Sequence, residues 1–195
     1  MKILRCGNLV EVPWKNGGGT TREIASGRMG DQTVWRLSRA DVVQDGAFSN
    51  FAGLVRVLTV VSGSGMELKF PDGTLDAVPG DPVRFDGGLN VHSRLKDGPL
   101  TDLNLMFDPA FCEGDVITKL GPFEQVVVRP VRGIAAFHVL SGAPMVNAAR
   151  LKPGDTAFFD ETDASLTLTE GDGLLEIRLH YLDQSSAIKL TIADR

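Results

Sequence analysis

Short β-rich runs broken by glycine, proline and aspartate every ~8–12 residues leave this chain little choice of architecture. Runs such as 33–38, 53–61, 101–107 and 174–181 are rich in Val, Leu, Thr and aromatic residues, and turn formers bound them. Each is too short for a core helix and ends where the backbone must reverse. Gly27-Arg28-Met29-Gly30-Asp31 reads as the turn of a hairpin leading into the strand that carries Trp35. The best helical candidate, 110–120, amounts to a turn or two at most. The expected class is all-β, a sandwich or barrel.

The pattern also repeats. Pro79-Gly80-Asp81 followed by Phe85-Asp86 recurs as Pro153-Gly154-Asp155 followed by Phe159-Asp160, 74 residues on. The same offset lays Leu103-Asn104-Leu105-Met106-Phe107 on Ile177-Arg178-Leu179-His180-Tyr181, with apolar residues matching at alternate places. Pro-Gly-Asp alone is a common turn, but a downstream match in strand register points to duplication. A chain of 195 residues has room for two small units, divided here as 1–118 and 119–195.

Charge narrows the partners. The net charge is −5 and the basic residues form no run, so neither a nucleic-acid footprint nor a polybasic membrane anchor is expected. No stretch approaches ~18 apolar residues and the first residues lack an apolar signal core, which predicts a soluble, cytoplasmic protein. Cys6 and Cys112 stand far apart without CxxC spacing, so they read as small apolar residues and not as a redox or zinc motif.

The most unusual segment is Trp14-Lys15-Asn16-Gly17-Gly18-Gly19-Thr20-Thr21. Three glycines let a ligand approach backbone N–H groups closely, successive N–H groups can cradle an anion, and Lys15 adds a full charge. The plain alternative is an Asn16-Gly17 hairpin turn followed by slack, although such a turn needs neither a third glycine nor flanking Trp and Lys. The following residues read as strand.

This segment, with Trp35-Arg36-Leu37-Ser38-x-Ala40, Asp45-Gly46-x-Phe48-Ser49-x-Phe51-x-Gly53 and Gly98-Pro99-x-x-Asp102-Leu103-Asn104-Leu105-Met106, resembles the HutD/Ves family of bacterial bicupins. The resemblance is strong over about the first 110 residues and weak beyond them. It implies two cupin-like β-barrels, or jelly rolls, in one compact chain. It further implies a link to histidine utilisation, which the HutD branch modulates without an established catalytic step, or to cold and stress responses in the Ves branch.

The residues themselves argue for binding over catalysis. Many cupins hold a metal through two histidines one residue apart. This chain has only His92, His138 and His180 and no His-x-His, so no metal and no cofactor is expected. Ser62-Gly63-Ser64-Gly65 lies between two strands and lacks the helix a nucleophile elbow needs. The polar faces say more. A period of two sends Asp102, Asn104 and Met106 to one side and Leu103, Leu105 and Phe107 to the other, and separates Arg36 and Ser38 from Trp35 and Leu37. Arg56 interrupts an apolar run, where a charge needs a partner. Taken singly, each is by default an outward, solvated side chain, and Glu176, Arg178 and His180 are read so in the second unit.

Within the motifs, Lys15, Arg36 and Arg56 supply charge, and Asn16, Ser38 and Asn104 supply directional hydrogen bonds. A guanidinium fork suits a small carboxylate. Trp14 and Phe85 can wall an apolar ring or chain, and Asp102 can orient an arginine or accept from a ligand N–H. The expected site is therefore a pocket in the first barrel, closed by Gly17, Gly18 and Gly19, for a small anionic metabolite such as urocanate or a formylglutamate-like intermediate. Two alternatives stand beside it: a metal-free cupin enzyme on a small carboxylic acid with Asp102 or His92 as base, and an interaction module whose second barrel docks a partner or forms a homodimer.

Overall fold

The computed structural model describes residues 1–159, 162–182 and 188–193. Among them the only helical element is a 3-10 turn, Cys6–Asn8. Each half builds the same pair of sheets. In the first half Gln32–Val42, Leu100–Phe107, Val55–Ser62 and Val83–Asp86 lie side by side in that order, and Gly46–Ala47, His92–Leu95, Met66–Phe70 and Gly73–Ala77 form the facing sheet. In the second half Cys112–Leu120, Gly173–Tyr181, Gly133–Ser141 and Thr156–Phe159 repeat the one order, and Phe123–Val127, Ala164–Leu168, Met145–Val146 and Ala149–Arg150 repeat the other.

The repeated Pro-Gly-Asp does the same job in both halves. Gly80 N–H donates to the Val60 carbonyl at 2.8 Å and Gly154 N–H to that of Val139 at 2.9 Å. Both glycines sit at positive φ, 77° and 85°, a conformation that penalises a side chain. Asp160, the end of the second copy of the motif, lies outside the described residues.

Period-two alternation places the core. Trp35, Leu37, Val57, Leu103, Leu105 and Phe107 leave one large sheet and meet Ile134, Ala136, Phe158, Leu175, Ile177 and Leu179 of the other in one buried cluster. The two units are thus joined through the backs of their large sheets, as sheet-on-sheet packing requires two apolar faces. Trp35 Nε1–H reaches Tyr181 Oη across this layer at 3.1 Å. The opposite faces point into the two barrels. The second interior is filled with hydrocarbon, including a stacked pair, Phe137 and Phe159, with ring centroids 4.8 Å apart. In the first, a cluster around Val42, Leu58, Val60, Met66 and Leu68 is buried, with Trp14, Phe48 and Phe85 packed against it.

Two sequence expectations fail. Residues 110–120 form no helix: Phe111 and Cys112 N–H groups bond to the Asp108 carbonyl in a single turn, and Cys112–Leu120 then pairs with Gly173–Tyr181. Its first residues alternate buried and exposed, the period of a strand. Glu176 is not solvated. It is wholly buried, paired with Lys119 Nζ at 3.5 Å and with Arg178, because its place in the alternation points it into the second barrel. A carboxylate at that depth needs such partners. Arg178 is half-exposed and His180 exposed, as expected.

The ends of the chain cross over. Lys2–Leu4 pairs with Thr156–Phe159 of the second unit, and Lys189–Ile192 pairs with Gly19–Met29 of the first.

Candidate functional site

The open end of the first barrel is a cavity of about 440 Å³ whose lining includes Trp14, Lys15, Asn16, Arg36, Ser38, Arg56 and Asn104. Strand register explains their convergence. Met106 is the cross-strand partner of both Arg36 and Arg56, so the two arginines flank it in one row across three strands. One row deeper Asn104 sits between Ser38 and Leu58, and below it Asp102 sits between Ala40 and Val60. Neighbouring strands lie ~5 Å apart, so the two arginine backbones are ~10 Å apart, a span their side chains can close from both sides of a small ligand.

A buried chain of hydrogen bonds fixes the floor. Asn104 Nδ2–H donates to Asp102 Oδ1 at 2.5 Å, which turns Asn104 Oδ1 toward Arg56, whose Nε–H donates to it at 2.7 Å. The Arg56 guanidinium lies over the Phe48 ring at 4.5 Å and near the Phe85 ring at 5.6 Å, positions that favour a cation. Burial pushes Arg56 down to about 10, with Asp102 opposing and Arg36 adding to the shift. Burial likewise pushes Asp102 up to about 6, against the pull of Arg56 and the Asn104 bond. Asp102 Oδ2 has no hydrogen-bond partner. Arg36 is held from the rim by Glu23, 3.1 Å from its Nε, but out of line for a hydrogen bond, since that Nε has none.

The wall comes from Trp14 and Phe48, packed edge to face with centroids 6.4 Å apart. Trp14 Nε1–H donates to Thr21 Oγ1 at 2.7 Å, which locks the indole in place. The triglycine segment supports this wall from behind. Gly17 N–H bonds to the Trp14 carbonyl and Gly18 N–H to Asn16 Oδ1, both at 3.0 Å, so these N–H groups close the loop on itself and do not face a ligand. Gly17 has φ 71°. A Cβ on Gly19 would lie 2.3 Å from the Asp41 carbonyl oxygen and 3.1 Å from the Trp14 ring, so Gly19 is what lets the indole lie flat on the strand.

Seven of the residues singled out from sequence therefore line the cavity: Trp14, Lys15, Asn16, Arg36, Ser38, Arg56 and Asn104. Gly17, Gly18, Gly19, Phe85 and Asp102 do not. Phe85 and Asp102 stand one layer behind, against Arg56 and Asn104, and the backbone cradle expected of the glycines is spent on the loop's own bonds. His92 is exposed at the start of its strand and does not line the cavity. Sequence reasoning passed over Thr21, Phe48, Ser49, Phe51 and Met106, which also line it. The signal was present for most of them: Phe48, Ser49 and Phe51 fall inside the Asp45-to-Gly53 motif, and Met106 shares the inward face of Asn104.

The lining has two guanidinium groups and an ammonium but no carboxylate, imidazole or thiol. Among the described residues no group of three or more His, Cys, Asp or Glu side chains is arranged to hold a metal ion. That donor set does not fit the metal many cupins carry; it fits an organic anion with an apolar body. The corresponding row of the second barrel puts Glu113 and Gly133 beside His180, and Phe137 and Phe159 fill the space below. A cavity of about 480 Å³ lined by Arg129, Arg132, Arg178 and His180 lies at that end of the second barrel, without the indole and phenyl wall of the first.

Residues 7–176 match the HutD family. An uncharacterised 21.2 kDa protein in the hutC 3′ region of Pseudomonas putida is 42% identical over 113 residues, 56% of this chain and 59% of that protein, so the aligned part spans less than two thirds of it. Protein Ves of Cronobacter sakazakii is 30% identical over 162 residues, covering 82% of this chain and 87% of its own. Among solved structures, that of HutD from Pseudomonas fluorescens SBW25, in a formate condition, superposes with a TM-score of 0.81 at 30% identity, covering 93% of this chain and 98% of that one.

Proposed function

The chain belongs to the HutD family, and from that premise we propose that its first barrel is a receptor for a small carboxylate of histidine breakdown, urocanate or a formylglutamate-like intermediate, whose occupancy modulates histidine utilisation without turnover. The observation that carries this reading is the pairing of Arg36 and Arg56 across Met106, in a cavity of about 440 Å³ walled by Trp14 and Phe48. One arginine takes the carboxylate through a forked pair of hydrogen bonds. The indole and phenyl rings cover a flat acyl or imidazole-bearing body. Asn104, its amide oriented by Asp102, presents Arg56 at a fixed angle. The place of the Pseudomonas putida relative in the hutC region supports the pathway. The mechanism is binding alone: no residue of the lining is placed as a general base, and the buried acid next to the site, Asp102, stands behind Asn104.

Calorimetric titration with urocanate, formylglutamate, glutamate and formate tests this, with proton NMR of the same mixtures to follow any conversion. A saturable isotherm without conversion is expected. Arg56→Met removes a charge-assisted hydrogen bond worth ~1.5–3 kcal/mol, so Kd should rise about 10- to 150-fold. Equal affinity in wild type and Arg56→Met would overturn the site, and conversion beyond one equivalent would replace the receptor with an enzyme.

A further inference from the structure

A second cavity, of about 200 Å³, lies where the two barrels meet. It is lined by Cys6 from the N-terminal turn, Arg39 and Ser62 from the first barrel, and His138 and Gly154 from the second. It shares no lining residue with the carboxylate pocket.

Its polar groups are incompletely satisfied. His138 is wholly buried; its Nδ1 is 2.9 Å from Thr156 Oγ1, and its Nε2 has no partner. Arg39 donates one Nη1–H to Cys6 Sγ at 2.9 Å, while its buried Nε–H has no acceptor. None of the nine lining residues carries a carboxylate. The acid next to Gly154 in the chain, Asp155, is occupied, accepting from Arg5 Nη1 at 2.5 Å and from Lys152 N–H at 3.0 Å. Asp41, which acts on Arg39 at longer range, is itself bonded to Arg22 and Thr101. Orphaned buried polar groups are costly, and two on the wall of one cavity call for a species that bridges them.

We propose that this seam is a binding site for a small monovalent anion, a halide or a one-carbon oxyanion, held by Arg39 and His138 and joining the two barrels. With the Thr156 hydroxyl donating to Nδ1, the neutral imidazole carries its hydrogen on Nε2 and faces the cavity as a donor. Burial and the Arg39 charge push His138 down to about 3, so the ring stays neutral and the guanidinium supplies the single positive charge that a monovalent anion balances. Cys6 S–H offers a third, weaker donor. Because the ligands come from the N-terminal turn and both barrels, an anion here ties the halves together and raises the stability of the whole chain.

Bromide is the probe. Its anomalous scattering in a soaked crystal should give a peak within ~3.5 Å of Arg39 Nε and His138 Nε2. In solution, titrating sodium bromide against sodium gluconate at constant ionic strength should raise the melting temperature by about 3 °C. Arg39→Gln should abolish both the rise and the peak, and Arg56→Met, in the other pocket, should leave both intact. Should Arg39→Gln not fold, His138→Phe serves, since it removes the second donor and fills the space. A water without anomalous signal at the seam, or an equal rise in the seam variants, would overturn the proposal.

Discussion

Replacing Asp102 by asparagine should stabilise the protein, and the gain should appear only as the pH rises. Asp102 is wholly buried, its Oδ2 unpartnered, and burial lifts it from 3.8 to about 6 even though Arg56 and Asn104 pull the other way. The folded chain therefore holds this proton more tightly than the unfolded chain. Between pH ~4 and ~6 the native state binds more protons than the unfolded state, and stability falls as pH rises. Above about 6 the full cost of the buried charge, ~3 kcal/mol, is present. An asparagine keeps the oxygen that accepts from Asn104 and carries no charge. Wild type and Asp102→Asn should thus be equal near pH 3.5, diverge through pH 4 to 6, and differ by up to ~3 kcal/mol at pH 8, which is ~6–12 °C in Tm for a chain of this length. Urea unfolding followed by fluorescence of the two tryptophans at five pH values measures the difference curve. A gap that does not change with pH, or a variant less stable at pH 8, would refute the reasoning, because it would mean that attraction to Arg56 outweighs desolvation.

Other outcomes follow from the same geometry. Trp14→Ala should weaken binding of a ring-bearing carboxylate about 10-fold or more while leaving formate, which has no body to stack, almost unaffected; paired calorimetric titrations check this. Gly19→Ala forces a methyl to within 2.3 Å of the Asp41 oxygen, so Tm should drop by several degrees and carboxylate affinity should fall with it, since Trp14 must move. Leu105→Ala opens a hole in the layer between the large sheets and should cost ~2–5 kcal/mol in denaturant unfolding without changing ligand selectivity.

What could be read from the sequence was whatever local periodicity encodes. Asn104 inward and Leu105 outward follow from the period of two, and the repeated Pro-Gly-Asp located both barrels because that turn has one geometry. The burial of Glu176 was not legible, because alternation assigns a face and does not say whether that face ends in water or inside a barrel. The glycines misled for a related reason. Composition shows that Gly17 to Gly19 allow close approach, but it cannot show that what approaches is the Trp14 ring and the Asp41 carbonyl. Residues 110–120, read as a helical turn or two at most, gave no clear strand signal because that strand rests on a partner some 60 residues away in sequence, Gly173–Tyr181. Phe48 and Phe51 fall inside the Asp45-to-Gly53 motif, but only the fold shows that they line the open end of the barrel.

The two crossed strands set the order in which the units can close. The edge of the first barrel's large sheet is covered by Lys189–Ile192, which are made long after the strand they cover, while Lys2–Leu4 wait for Thr156–Phe159. The half that carries the binding pocket is synthesised before the strand that seals its sheet edge. Neither half released by a cut near residue 120 has its own full set of strands. A nascent chain stalled before residue 189 exposes an unpaired strand edge that invites association with another chain.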